Sequence, residues 1–152
     1  MIKTRDICKK INNVKEEANK ALMLRFLEFI NTANPQLANE VISTEAVFYV
    51  PGRPEPMRGP GGYLEIINMM RSGFPDIRWK IEDIVAENEK VAVRFTMQGT
   101  HKAAFFGVPP TEKSIHVQAM NFYRISDAQI VEEYGQPDLL GVLQQIGAFP
   151  SN

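Results

Sequence analysis

The stretch IVEEYGQPDLLGVLQQIG, residues 130–147, places Glu132 and Glu133 side by side near the end of a predicted strand, then runs through Tyr134 and Gly135 into helical spacing. Paired carboxylates at the end of an element suit acid/base work. A carboxyl taken out of water has its charged form disfavoured and titrates nearer neutral pH. Strand alternation separates the pair: Val131, Glu133 and Gly135 share one face, and Glu132, Tyr134 and Gln136 share the other. Glu133 is therefore a candidate acid/base if its face is the inner one, and a carboxylate paired with Arg or Lys if it sits at a rim. Asp138, the other local acid, is read as the N-cap of the closing helix.

Two further residues could take part. His101 shares parity with Met97 and Gly99 at the end of an alternating strand, so it points inward, either as acid/base and substrate hydrogen-bonder or as a structural histidine tying the strand end to the loop after it. Asn121 is the one amide in the apolar row Ile115, Val117, Ala119, Tyr123 and Ile125. A buried amide needs a partner, which could be a substrate carbonyl, Glu133 or a backbone group. Trp79 and Tyr49 are candidate cavity walls and equally ordinary core aromatics, and Met97 and Gly135 join them on the inner face. No nucleotide-binding loop, nucleophile elbow or catalytic triad pattern is present. There is no metal-ligand cluster either: His101 and His116 are the only histidines and face opposite sides by parity.

The elements that must position these residues follow from apolar spacing. Residues 1–17 form a charged extension, read as a frayed helical lead-in to a single domain over 18–152. Ala18, Leu22, Phe26, Phe29 and Ile30 then fall on one helical face. Asn34 and Pro35 cap and open a second short helix, AVFYV reads as a strand, and Tyr63, Ile66, Ile67 and Met70 mark a third helix ending near Gly73. Between these, PGRPEPMRGPGG holds four prolines and four glycines in twelve residues, which argues against regular structure there. From residue 77 the period becomes two. IRWKIEDIVA, with Trp79, Ile81 and Val85 on one face, is followed by VAVRFTMQGTH, KSIHVQAMNFYRI and IVEEYGQ. Helices first and a four-strand meander last predict an α+β domain, with helices on one face of an antiparallel sheet curled around a pocket.

Composition narrows the partners. A net charge of -1 with no long basic run excludes a binder of nucleic-acid backbone. No run of about 18 apolar residues is present to span a membrane, and the basic start has no apolar stretch behind it to act as a signal peptide. The single cysteine, Cys8, cannot form an internal disulfide, so a reducing, cytoplasmic setting is expected.

The segments FPDIRW, GTHKAAFFGVPPTEKSIHV and DAQIVEEYGQPDLLGVLQQIG resemble the SnoaL-like polyketide cyclase family of the NTF2-like superfamily, over about residues 21–147. The resemblance implies a cone-shaped curved sheet, usually a homodimer, that closes a ring by intramolecular aldol condensation without a cofactor. It also implies a histidine at His101 and an acid/base Asp directly after the Trp of the last strand. Here Tyr134 stands at that Trp and Gly135 at that Asp, while Glu133 stands at a family His. The family carboxylate is thus missing from its own position, leaving a space about one side chain deep. An Asp would fit there provided that Gly135 does not require positive φ. On the outer face His116, Gln118, Met120 and Phe122 suit packing against a second copy, and the FFGVPPTE and PGRPEPMRGPGG loops are expected at the mouth. Three readings follow: an enzyme enolising a small hydrophobic carbonyl compound through Glu133, His101 and Asn121; a non-catalytic binder of such a molecule; or a structural dimeric module.

Overall fold

A computed structural model describes residues 4–149. Helix α1 (Thr4–Thr32) is a single unbroken helix, so the charged lead-in is not frayed over the described residues, and residues 1–3 and 150–152 lie outside them. The side chain of Asn34 accepts from the backbone N–H groups of Gln36 and Leu37 and starts α2 (Pro35–Val41), with the proline at the first helical position. The β-branched run that follows becomes β1 (Ile42–Tyr49), longer than AVFYV alone. The Pro/Gly-rich segment is not devoid of regular structure. It holds a two-residue strand, β2 (Met57–Arg58), and the first turn of α3 (Gly59–Gly73), opened by Pro60.

Four long strands complete the sheet: β3 (Arg78–Glu87), β4 (Lys90–Thr100), β5 (Ser114–Ser126) and β6 (Gln129–Pro137), followed by α4 (Leu139–Gln145). The strand order is β2-β1-β6-β5-β4-β3. The last four strands form the expected antiparallel meander, whereas β1 runs parallel to β6, a pairing that periodicity alone does not reveal. Val91, Val93, Phe95 and Met97 all face the core. The alternation of β3 fails at one point. A register shift between Ile81 and Asp83 inserts one extra residue, so Ile84 and Ala86 turn inward and Val85 is left 62% exposed instead of buried.

The helices α1 and α3 pack on the concave side. Phe26 meets Tyr63 and Tyr123 edge-on, with ring centroids 5.0 and 5.5 Å apart, and Phe48 meets Tyr63 at 4.7 Å. Asn31, near the end of α1, brackets Trp79: its amide donates to the Trp79 carbonyl and its oxygen accepts from the Trp79 N–H, both at 2.9 Å. That pair stands in for a neighbouring strand at the sheet edge and fixes where the indole enters the cavity.

Candidate active site

Inside the cone lies a cavity of about 80 Å³. Its walls are apolar, with Ile67, Met70, Trp79, Phe95 and Met97 among them, and Tyr63, Asn121, Tyr123 and Glu133 are among its polar side chains. Each arrives by strand parity. Asn121, Tyr123 and Glu133 occupy inward positions on adjacent strands, with Tyr123 paired to Glu133 and Asn121 to Gly135. Tyr63 comes down from the buried face of α3.

The two carboxylates of the opening stretch part company. Glu132 points outward, 3.6 Å from the Arg124 guanidinium. Glu133 is 4% exposed and accepts a hydrogen bond from the Tyr63 hydroxyl at 2.9 Å, with no cation beside it among the described residues. Burial therefore pushes its carboxyl up to about 7, against the opposing pull of the Tyr123 and Tyr63 hydroxyls. Burial and the neighbouring carboxylate hold both phenols well above the ordinary tyrosine value, so they remain donors. Asn121 donates to the Tyr123 oxygen at 3.1 Å and accepts from the Gln136 N–H at 3.1 Å. With its oxygen accepting from Asn121, the Tyr123 hydroxyl is left to point its proton toward Glu133 or a ligand.

Gly135 lies in β6 without a positive φ, so its backbone does not demand glycine. The space above it is nevertheless not vacant. A Cβ there would stand 2.9 Å from Glu133 Oε1 and 3.6 Å from Asn121 Oδ1. The expectation that Gly135→Asp fits freely is therefore corrected: the Glu133 carboxylate, two residues back on the same face, already reaches over position 135.

Other expected residues fall elsewhere. His101 is fully buried but does not line the cavity. The strand ends one residue earlier, and the ring turns into the following loop. There Nδ1 accepts from the Thr111 N–H at 3.3 Å and lies 3.0 Å from the Thr111 hydroxyl, while the ring packs on Phe74 at 5.4 Å. That loop is not at the cavity either. Lys102 N–H donates to the Gly73 carbonyl, and Phe105 lies so close to Gly73 that a Cβ would come within 2.8 Å of its ring. The loop thus seals the end of α3. Tyr49 borders the cavity, yet its ring stacks on Tyr134 at 4.5 Å and is 40% exposed. Asp138 accepts from the Gly141 N–H and caps α4. Sequence reading treated Tyr63 and Tyr123 as apolar positions. The available signal was that a tyrosine on a buried face must find a partner for its hydroxyl.

Comparison with known proteins fits this geometry. The sequence profile of the SnoaL-like polyketide cyclases matches residues 20–146. The chain belongs to that family. This SnoaL-like chain is 25% identical over 91 residues to nogalonic acid methyl ester cyclase of Streptomyces nogalater, covering 59% of this chain and 67% of that one. Among solved structures, wild-type IdmH from Streptomyces antibioticus is 30% identical with a TM-score of 0.77, covering 85% of this chain and 98% of that one. A structure from Jannaschia sp. CCS1 (22% identity, TM-score 0.79, 90% of this chain and 96% of that one) shares the fold, the NTF2-like cone expected for SnoaL-like cyclases.

The raised carboxyl has a stability consequence whose sign is fixed. The folded state holds the Glu133 proton up to about pH 7, whereas an unfolded glutamate loses it near 4.5. The stability contributed by this group is full below the lower value and is lost as pH rises through the upper one. Glu133→Gln should therefore gain on the wild type in urea denaturation between pH 4.5 and 7. At pH 8 the gain should reach at most about 3 kcal/mol; a difference that does not vary with pH would count against the buried, uncompensated carboxylate.

Proposed function

We propose that this protein is a cofactor-independent enzyme of the cyclase type, enolising a small, uncharged, hydrophobic carbonyl compound with Glu133 as its acid/base. The observation that carries the reading is Glu133 Oε1 lying 2.9 Å from where a Cβ at position 135 would stand. A carboxylate supplied from Glu133 thereby reaches the space into which a side chain at 135 would project. In an aldol closure Glu133 removes a proton from the carbon next to a carbonyl, the enolate carbon attacks a second carbonyl carbon, and the alkoxide formed takes the proton back. One group with a pKa near neutrality can serve both half-steps. The Tyr63, Tyr123 and Asn121 donors are within the same wall to hold the enolate oxygen. His101 has no part in this chemistry and acts in the loop.

The test is exchange of the α-protons of a neutral aryl ketone ester in D2O, followed by NMR. The exchange rate should rise with pH and level off above about 7. Glu133→Gln should lower it by roughly 100-fold or more, while His101→Ala should leave it within about a factor of ten of wild type if folding is kept. Exchange that survives Glu133→Gln would end this reading. Gly135→Asp should move the midpoint upward, because two carboxylates in contact cannot both ionise readily; an unmoved midpoint would show that the two groups do not meet.

The non-catalytic binder is favoured by one observation, the small cavity. At about 80 Å³ it falls well below the roughly 300–1,000 Å³ of sites that enclose drug-sized molecules. Saturable binding of the same ester without exchange at pH 8 would select it.

The same reading includes a homodimer through the outer sheet face, in the cytoplasm, where Cys8 stays a thiol. Met120, Phe122 and Tyr134 are each more than half exposed, and Phe122 pairs across the strands with Tyr134 and Ala92. A contiguous apolar face of this kind marks an interaction site. Sedimentation should give at least the mass of two chains for wild type, and Phe122→Asp should lower that mass by removing the sheet-face contact; a wild-type mass of one chain would sink the sheet-face pairing.

A further inference from the structure

The first three turns of α1 stand apart from the cone. From Thr4 to Lys15 every residue is exposed, although the helix continues unbroken to Thr32. The family match begins only at residue 20, so this segment belongs to the chain and not to the shared domain. A free helical stretch of that length is marginal in water, because a few turns return little against the cost of nucleation.

Its apolar residues are not scattered. Ile7, Ile11 and Val14 are 46%, 61% and 66% exposed, and exposed Ala18 and Ala21 continue the row. The steps are four, three, four and three, the spacing of a coiled-coil seam. Lys10 and Glu17 flank it on one side, seven residues apart, and Cys8 and Lys15 flank it on the other. Glu17 is engaged only by an exposed pair with Lys20 at 3.3 Å, which leaves it free to exchange partners. A membrane surface is the poorer match. No Trp, Phe or Leu occurs between Thr4 and Ala21, and Asp6, Glu16 and Glu17 interrupt the basic residues.

We propose that this seam pairs with the same seam of a second copy of the chain, the two helices running antiparallel. Ile11 then lies opposite the partner's Val14, and Ile7 opposite the partner's Ala18, so large residues meet smaller ones. Lys10 of each helix meets the partner's Glu17, giving two attractive flanking contacts. The parallel arrangement would instead set Lys10 beside the partner's Lys15. The charge pattern chooses the direction.

The experiment is sedimentation equilibrium of the full chain in a Phe122→Asp background, which removes pairing through the sheet face, with circular dichroism to confirm folding. The parent should associate reversibly. Lys10→Glu should weaken that association by roughly tenfold, the size of exposed ion pairs turned into like-charge contacts, and Lys10→Glu with Glu17→Lys should restore it. The same series with Phe122 retained reads the step from dimer to tetramer and serves if the background variant does not fold. A parent that stays monomeric at every concentration, three chains of the series that associate equally, or a Lys10→Glu chain that associates more tightly would each overturn the proposal. So would a monomeric parent whose helix binds vesicles of anionic lipid.

Discussion

Everything in the cone turns on a carboxylate buried without a cation. Glu133 is surrounded by apolar walls and by two tyrosine hydroxyls, and among the described residues no cation reaches it. Hydroxyl donors lower the carboxyl's pKa and burial raises it; burial wins, which leaves the group near neutrality rather than in the ordinary acid range. An arginine in place of either phenol would reverse that balance and leave a permanently charged ion pair, with no proton to exchange. The protein gives up stability at this point, since an uncompensated buried carboxylate costs free energy once ionised. Such a concession, beside an Asn121 that bonds both the Tyr123 oxygen and the Gln136 N–H, fits a group whose proton can be exchanged.

The glycine two residues on is best understood through the same group. A side chain at 135 and an extended Glu133 would compete for one volume, because residues two apart on a strand share a face. A chain can place a carboxylate there from position 135 directly or from position 133 by leaning over a glycine. In the second arrangement the longer glutamate side chain makes up the offset along the strand, and a Cβ at 135, 2.9 Å from Glu133 Oε1, would push the end of that side chain aside. Gly135 thus belongs to the carboxylate's packing.

Much of this was legible in the sequence, and the failures have local causes. The period of two across β4 and β5 put Met97, Asn121 and Tyr123 on inner faces, and on β6 it set Glu133 with Gly135 and apart from Glu132 while leaving open which face was inner; all five of Met97, Asn121, Tyr123, Glu133 and Gly135 border the cavity. Parity failed in β3 because a single inserted residue flips every later side chain, and Val85 was exposed by that slip. For His101 parity gave the burial but not the neighbours. Once β4 ends at Thr100 the chain is free to turn, and the ring follows the loop to Thr111. The parallel partner of β1 was invisible because pairing between residues as far apart as Tyr49 and Tyr134 leaves no mark on local spacing. The role of Tyr63 was hidden for a similar reason: its hydroxyl partner is seventy positions away.

Alternation also ties the cavity to the surface. On β5 Asn121 points inward between Met120 and Phe122, which point outward; on β6 Glu133 points inward between Glu132 and Tyr134. A one-residue slip of either strand would exchange its two faces and take Asn121 or Glu133 out of the cavity. The backbone that turns Phe122 and Tyr134 outward is the same backbone that sets Tyr123 opposite Glu133 on the inner side. The inner row of that strand pair carries a carboxylate, a phenol and an amide, Glu133, Tyr123 and Asn121, side by side on the cavity wall.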